Sequence, residues 1–280
     1  MATFFGEVVS AFSRAVAEEE EEEEDEEIRR ELAGRRDVTI QWSSENRSST
    51  DHSASLLPCS TFLIAVGENA AGFLKSFVQC CGSWEVVGAV TLCNERVQRQ
   101  HTSEKQFPAD SSCVLYRLTS DPTILSCHCT CHVAEDQLFH WAEKVFENIQ
   151  KRNLGVIVLS SSSVTEYKSS RSIPSIPVPF LRALKTNTVQ ELPHCQLLEQ
   201  PNVISGLPAA VLTHCQVQQI PAVLYHCYSD VAALDTLTVE AFKPVLASRS
   251  LKSFVKVTTQ SAEILHQLVD ANKIQSNLYT

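Results

Sequence analysis

Glycine is scarce in this sequence, with eight residues in a chain of 280. Close approach of a backbone to phosphate usually depends on glycine, so few positions could form a nucleotide-binding loop. Long apolar runs are missing as well, because no stretch of about 18 consecutive apolar residues occurs. The sequence therefore predicts neither a phosphate-binding site nor a membrane span.

A basic excess is also missing. The formal net charge is −10, and Glu18 to Glu27 is an unbroken run of ten acidic residues. Outside that run the chain has 23 acidic and 23 basic residues, so the rest of the chain has no formal net charge. A nucleic-acid-binding surface normally needs clustered positive charge, so nucleic acid is not a predicted partner.

The first residues do not have the pattern of a secretory signal. Met1 to Val16 carries Glu7 early and contains no long apolar stretch. The eleven cysteines are therefore expected to be reduced thiols. We expect the protein in the cytoplasm, with the nucleus or association with the endoplasmic reticulum as alternatives.

Composition divides the chain into three parts. Residues 1–55 are predicted to be a disordered segment whose acidic run is extended and solvated, followed by the serine-rich linker Ser43 to Ser55. Residues 56–273 are predicted to form a single α/β domain, in which order begins near Leu56. Residues 274–280 are predicted to be a C-terminal tail.

Strand and helix patterns alternate within the central part. The predicted strands are Thr61 to Val66, Glu85 to Leu92, Cys113 to Leu118, Thr123 to Val133, Leu154 to Leu159 and Ile220 to Cys227. The predicted helices are Ala70 to Gln79, Ala134 to Ile149, Leu207 to Gln218, Val231 to Phe242 and Ser261 to Asn272, with Ser261 as the N-cap. This alternation predicts a largely parallel sheet that is covered on both faces.

No catalytic or cofactor-binding motif is complete. Gly67 and Gly72 have the spacing of a phosphate loop, but the required Lys and Ser or Thr do not follow Gly72. Ser160 to Ser163 follow a buried strand without the glycines of a nucleophile elbow, so a plain loop is favoured. His226 and Cys227 are neighbours in a strand and point to opposite faces, which prevents direct pairing.

The sequence from Cys127 to His132 (CHCTCH) contains five possible metal ligands. In a strand, Cys127, Cys129 and Cys131 would lie on one face. Each would be separated from the next, two residues further along the chain, by about 6.6 to 6.8 Å. Sulfurs that bind one zinc ion lie under about 4 Å apart. A structural thiol face is therefore favoured over a metal site, and no metal ligand is assigned.

The chain ends with Leu278, Tyr279 and Thr280 after a short polar tether. An apolar residue, a rigid amphipathic ring and a carboxylate could dock into a partner, where backbone or lysine donors capture the carboxylate. The alternative is that Leu278 and Tyr279 fold back onto the domain. Local chemistry indicates a binding protein without identifying its partner.

Several segments resemble the proteasome assembly chaperone family. They are Thr3 to Val8 (TFFGEV), Val133 to Gln137 (VAEDQ), Phe180 to Thr186 (FLRALKT), Leu197 to Asn202 (LLEQPN), Leu207 to Leu212 (LPAAVL), Val239 to Leu246 (VEAFKPVL) and Ile274 to Thr280. The resemblance spans the chain and is weakest between about residues 10 and 55.

The resemblance implies a three-layer α/β/α sandwich and a non-enzymatic chaperone without a cofactor. It implies a heterodimer with proteasome assembly chaperone 2, which binds the α-subunit ring of the core proteasome, promotes ring assembly and prevents off-pathway ring dimers. It also implies a hydrophobic–tyrosine–any-residue docking motif at Leu278, Tyr279 and Thr280, with the carboxylate of Thr280 meeting a lysine between α subunits.

Two other functions remain open from the residues alone. A small-molecule enzyme with nucleoside phosphorylase-like or hydrolase-like architecture would need polar groups that converge at strand ends. A cysteine-based metal binder is a third, weaker hypothesis. The acidic run Glu18 to Glu27 is predicted to be dispensable for docking.

Overall fold

The computed structural model of the protein describes residues 25–30, 34, 37–43, 56–92, 113–168, 177–255 and 259–277. Its strands are β1 (Val38–Trp42), β2 (Thr61–Val66), β3 (Trp84–Leu92), β4 (Cys113–Leu118), β5 (Asp121–Cys129), β6 (Gly155–Ser163), β7 (Phe180–Lys185) and β8 (Ala222–Ser229). Its helices are α1 (Glu68–Phe73), α2 (Leu138–Glu147), α3 (Gly206–Val217), α4 (Thr236–Glu240), α5 (Arg249–Lys252) and α6 (Thr259–Asn277). Helix α1 continues into a π-helical segment, Leu74–Val78.

The described strands form one eight-stranded sheet in the order β1-β3-β4-β5-β2-β6-β8-β7. The four neighbouring strands β5, β2, β6 and β8 are parallel. The outer pairings, β1 with β3, β3 with β4, β4 with β5 and β7 with β8, are antiparallel. The predicted α/β class is confirmed, with a parallel centre in a mixed sheet.

Strand β2 lies at the centre of the structure because its side chains are buried on both faces. Phe62 and Ile64 belong to one core cluster, whereas Leu63 and Ala65 belong to the other. Successive strand side chains point to opposite faces, so one uninterrupted apolar run supplies both clusters. The predicted boundaries Thr61 to Val66 are confirmed.

Each core cluster has its own layer of helices. Trp141 and Phe146 of α2 and Val211 of α3 are buried in the cluster on one face. Phe73 of α1 and Leu265 of α6 are buried in the cluster on the other face. This arrangement confirms the three-layer α/β/α sandwich.

Strand β1 corrects the prediction that order begins near Leu56. It lies within the segment predicted to be disordered, and it pairs with β3 from Val38 opposite Leu92 to Trp42 opposite Gly88. Val38 is buried, and Ile40 and Trp42 pack against the same core cluster. This strand has only five residues and a partner about 50 residues away, so the composition of its charged and serine-rich surroundings concealed it.

The acidic run is also partly helical, instead of extended throughout. Residues 25–30 form an exposed helical segment in which Arg30 pairs with Glu26 at 3.1 Å. Opposite charges four residues apart lie next to each other on a helix, which favours this conformation.

Two internal predictions were wrong because tertiary contacts override local preference. Ser160 to Ser163 continue β6 instead of forming a loop, since β8 pairs with them from His226 to Ser229. The predicted helix Val231 to Phe242 is reduced to α4. The side-chain amide of Asn69 donates a hydrogen bond to the carbonyl of Ala233 at 3.1 Å and accepts one from the backbone N–H of Asp235 at 2.9 Å. These two bonds hold the residues before α4 in a non-helical loop.

We expect Trp42→Ala to lower the free energy of unfolding by about 2 kcal/mol, because it removes a ring that packs over Gly88 and the core. The matched control is Gln41→Ala, which changes an exposed neighbour in the same strand. Urea denaturation measures both effects. Equal stability of the two variants would contradict the assignment of β1 to the folded domain.

Candidate functional site

The residues predicted to dock follow helix α6 in the sequence. Leu278, Tyr279 and Thr280 themselves lie outside the described residues, but α6 extends to Asn277, directly before them. The tether predicted after Asn272 is therefore incorrect for residues 274–277, whose backbone continues the helix. The predicted N-cap, Ser261, is also corrected, since α6 begins at Thr259.

A narrow buried stripe fixes α6 to the domain. Ser261, Leu265 and Val269 are buried and lie four residues apart, on one side of the helix. The Oγ atom of Ser261 lies 3.4 Å from the Sγ atom of Cys80, next to the end of the π-helical segment. Eight residues follow Val269 before α6 ends, so the helix backbone extends roughly 12 Å past Val269.

The contacts of α6 define its direction relative to α1. Ser261, near its start, contacts Cys80 beyond the end of α1. Leu268 and Asn272, near its end, line a cavity with Glu68 at the start of α1. The two helices are therefore antiparallel, and α1 starts immediately after the carboxyl end of β2. The C-terminal end of α6 consequently lies at the carboxyl edge of the central parallel strands.

The loop after β8 lies at the same edge and packs closely on α1. Gly72 permits this contact, because a Cβ atom at its position would lie 2.8 Å from Cδ1 of Leu234. Asp235 accepts a hydrogen bond from the backbone N–H of Thr238 at 3.0 Å and so caps α4. We call Ser161–Ser163, Asp230–Leu237 and the C-terminal end of α6 the carboxyl-edge surface.

Two large apolar side chains are exposed on the carboxyl-edge surface. Val231 is 42% exposed and Leu237 is 63% exposed. A cavity of about 190 Å³ lies beside Val231, lined by Ser161 to Ser163 and by the first residues after β8. Exposed apolar groups on one surface of a protein are suited to contacting another protein.

A Ser–His cluster at the ends of β6 and β8 tests the alternative hypothesis of an enzyme. Nδ1 of His226 lies 2.7 Å from the Oγ of Ser160, and its Nε2 lies 2.9 Å from the Oγ of Ser162. Serine hydroxyls therefore occupy both ring nitrogens, which leaves none for the carboxylate that orients a catalytic histidine. Ser160 is only 2% exposed, so a substrate could not reach its hydroxyl.

The environment of this cluster is also unfavourable for catalysis. Burial lowers the pKa of His226 to about 4, so its ring is neutral at physiological pH. Cys227 lies on the opposite face of β8, in the other core cluster, as its neighbouring position predicts. Burial raises the pKa of the Cys227 thiol to about 12, which suppresses the nucleophilic thiolate. Both groups therefore serve packing.

The predicted thiol face is present in part. Cys127 and Cys129 are buried in β5 on one face of the sheet, but Cys131 lies beyond the end of that strand and is partly exposed. Among the described residues, no group of three or more His, Cys, Asp or Glu side chains is arranged to hold a metal ion. Over that same part of the chain, no helix is long and apolar enough to cross a membrane.

Comparison with known proteins identifies the family. The family model described as Proteasome assembly chaperone 4 matches residues 1–280. Proteasome assembly chaperone 1 of Xenopus laevis is 52% identical over 287 residues, which cover 100% of both chains. The chain belongs to the proteasome assembly chaperone 1 family. The human protein of that name is 49% identical and is matched over 99% of its length, with 100% of this chain covered.

Solved structures agree on the fold. Pyrococcus furiosus PbaA, described as an archaeal homologue of proteasome-assembly chaperone, aligns with a TM-score of 0.55 at 10% identity, covering 86% of this chain and 90% of PbaA. PbaB of the same organism, described as an archaeal proteasome activator, aligns with a TM-score of 0.52 at 10% identity, covering 88% of this chain and 100% of PbaB. At this identity, the likeness extends to the fold alone.

Sequence reasoning missed the carboxyl-edge surface. The pattern of α6 predicted that Ile264, Leu265, Leu268 and Val269 are buried, but Ile264 and Leu268 are only half-buried. Nothing in the sequence placed the exposed side chains of Val231 and Leu237 at the sheet edge towards which α6 is directed. The one available signal was Gly72, whose close contact with Leu234 connects α1 to this loop.

Protonation of His226 should destabilise the protein in acid. Its folded pKa of about 4 lies below the ordinary value of 6.5, so the unfolded chain binds more protons between these two pH values. The stabilisation is complete above pH 6.5 and is lost as the pH falls, by about 3 kcal/mol at pH 4. Denaturation midpoints measured from pH 7 to pH 4 should show this fall.

The variant His226→Gln should reduce that pH dependence, because glutamine can bond to both serines without titrating. Part of the fall should remain, because burial lowers the pKa of His128 to about 3 and this second histidine also binds a proton more readily in the unfolded chain. His132→Gln, at an exposed position, is the matched control and should keep the slope of the unaltered protein. The same slope in all three proteins would show that His226 is not the group responsible.

Proposed function

We propose that the protein is a non-enzymatic chaperone for assembly of the core proteasome and that it docks on the α-subunit ring through Leu278, Tyr279 and Thr280. The observation that carries this proposal is the placement of α6, which is fixed to the domain and ends three residues before Thr280. Membership of the proteasome assembly chaperone 1 family supports the same role.

The tail has a short reach in this proposal. Three residues after Asn277 extend at most roughly 10 Å, so the carboxylate of Thr280 must bind close to the helix end. The direction of α6 therefore determines where the tail enters its partner. A lysine between adjacent α subunits would pair with the carboxylate, while Leu278 and Tyr279 fill the pocket beside it.

The carboxyl-edge surface supplies the second contact in this proposal. Val231 and Leu237 would lie against the ring when the tail is inserted, because they are exposed at the edge towards which α6 is directed. A broad apolar contact of this kind would orient the chaperone, whereas the tail alone would leave it free to rotate about one attachment point.

Pairing with proteasome assembly chaperone 2 is part of the proposal, as is protection of the ring from off-pathway dimers. A chaperone on the outer face of an α ring would prevent a second ring from occupying that face. We place this activity in the cytoplasm. The Ser–His cluster does not favour an enzyme, since serine hydroxyls contact both ring nitrogens of His226 and burial lowers the pKa of that histidine to about 4, which makes it a weak base.

Capture of α-subunit ring intermediates tests the role of the tail. The chain is co-expressed with proteasome assembly chaperone 2 and compared with Tyr279→Ala and with a version extended by one glycine after Thr280. We expect both changes to reduce capture at least tenfold. The substitution removes the aromatic side chain of Tyr279, and the added glycine displaces the terminal carboxylate from its position on Thr280. Gln260→Ala, at an exposed position of α6, is the control.

The outcomes separate the parts of the proposal. Equal capture by all forms would place the affinity on the partner or on the domain surface and refute the tail as the docking site. Capture by none of them, including the unaltered chain, would contradict the chaperone role itself. Turnover of a nucleoside panel by the pure protein would favour the enzyme instead.

A matched pair of surface variants tests the carboxyl-edge surface. We expect Leu237→Glu to weaken capture several-fold, because it places a charge in the proposed apolar contact. Val217→Glu is the control, since Val217 is 69% exposed at the end of α3, on the opposite edge of the sheet from Leu237. Similar losses in the two variants would show that a nonspecific charge effect, and not this surface, determines capture.

A further inference from the structure

Four cysteines on β4, on β5 and just after β5 form a continuous chain of thiols. The Sγ atoms of Cys113 and Cys127 are 3.8 Å apart, and those of Cys129 and Cys131 are also 3.8 Å apart. The Cys113 thiol is in hydrogen-bonding contact with Cys129 as well, which connects the two pairs. We call these four residues the thiol cluster.

The sheet register explains why the sequence alone did not reveal this cluster. Cys113 is directly opposite Cys129, and Leu115 is opposite Cys127. The side chain of Cys113 therefore lies between two cysteines of the neighbouring strand. The CHCTCH segment contains only three of the four thiols, and its strand spacing keeps those of Cys127 and Cys129 apart.

The distances favour a metal ion with two ligands over one with four. Cys127 and Cys129 are separated by about 6.6 to 6.8 Å of strand, too far for sulfurs that share a tetrahedral ion. Two sulfurs on opposite sides of one ion, each at about 2.3 Å, lie about 4.6 Å apart. Each 3.8 Å pair needs to open by less than about 1 Å to reach that separation.

Ligand chemistry and access limit the choice of ion further. Thiolates are soft ligands that select monovalent copper among the common biological metals that accept few ligands. Cys113, Cys127 and Cys129 are buried, whereas Cys131 is partly exposed, so the cluster meets solvent at Cys131. The thiols belong to a buried apolar core, which also includes Leu92 and Val133 and which would exclude water from the bound ion.

We propose that the thiol cluster binds two Cu(I) ions, one between Cys113 and Cys127 and one between Cys129 and Cys131. Each pair of thiols releases two protons to solvent and gains one Cu⁺, so that two S–H bonds break and two Cu–S bonds form. Copper stays monovalent, and no electron is transferred. None of the four cysteines belongs to the carboxyl-edge surface as defined above, although Cys129 and Cys131 lie at the carboxyl end of β5. The proposed copper occupancy does not depend on the proposed chaperone role.

Anaerobic titration with Cu(I) against a chromophoric Cu(I) chelator tests the site. The adjacent thiols of Cys80 and Cys81 lie 3.6 Å apart and could also bind copper, so all proteins carry Cys80→Ser. We expect the full chain in this background to withdraw two Cu(I) ions from the chelator. X-ray absorption should show copper bound by two sulfurs.

Each pair has its own variant. Cys113→Ser should reduce the stoichiometry from two to one, as should Cys131→Ser, and the double variant should bind none. Cys215→Ser changes a buried cysteine of the same core outside the cluster and should retain both ions. Because Cys131 is partly exposed, its variant should fold even if changes deeper in the core do not, and circular dichroism checks this.

Three results would overturn the proposal. Failure of the chain to compete with the chelator would show that the thiols only pack against each other. Unchanged stoichiometry in the double variant would place copper elsewhere. Stoichiometric zinc binding with four sulfurs would mean that the strands rearrange into a tetrahedral site, contrary to the pairwise geometry.

Discussion

Burial of β2 on both faces is the constraint on which the rest of the structure depends. Its uninterrupted apolar residues cannot contact water on either side, so the sheet needs a helical layer on each face. Helices α2 and α3 cover one face, and α1, α4 and α6 cover the other. Phe62 and Phe146 meet edge to face across the first of these interfaces, with ring centroids 5.6 Å apart.

The helical layers on the two faces of the sheet also position the C-terminal part of α6. Helix α6 packs against α1, and α1 begins directly after the carboxyl end of β2. The position of the end of α6 therefore depends on the position of β2 at the centre of the sheet. Asn69 secures the neighbouring loop through two hydrogen bonds, and Gly72 lets Leu234 approach. The carboxyl edge, which holds the active site in many α/β enzymes, here presents a helix end and exposed apolar side chains.

Buried polar side chains in the sheet show that residues of types common in active sites can instead stabilise the fold. Ser160, His226 and Ser162 satisfy one another's hydrogen bonds across β6 and β8, which removes the cost of burying each group alone. The thiol cluster occupies a comparable position on β4 and β5. There the neighbouring groups are soft and can exchange protons for a metal, whereas the serine hydroxyls cannot do so readily.

The sequence by itself determined the fold class, the boundaries of β2 and β4, the family and the chemistry of the C-terminal residues. These features depend on local periodicity, on an uninterrupted apolar run or on the residues themselves. Tertiary structure alone decided that Val38–Trp42 joins the sheet, that Ser160 to Ser163 extend β6, and that Cys113 lies among the thiols of β5. It also decided where α6 ends. Each of these features depends on a partner distant in the chain, and cross-strand register and helix packing are not encoded in local composition.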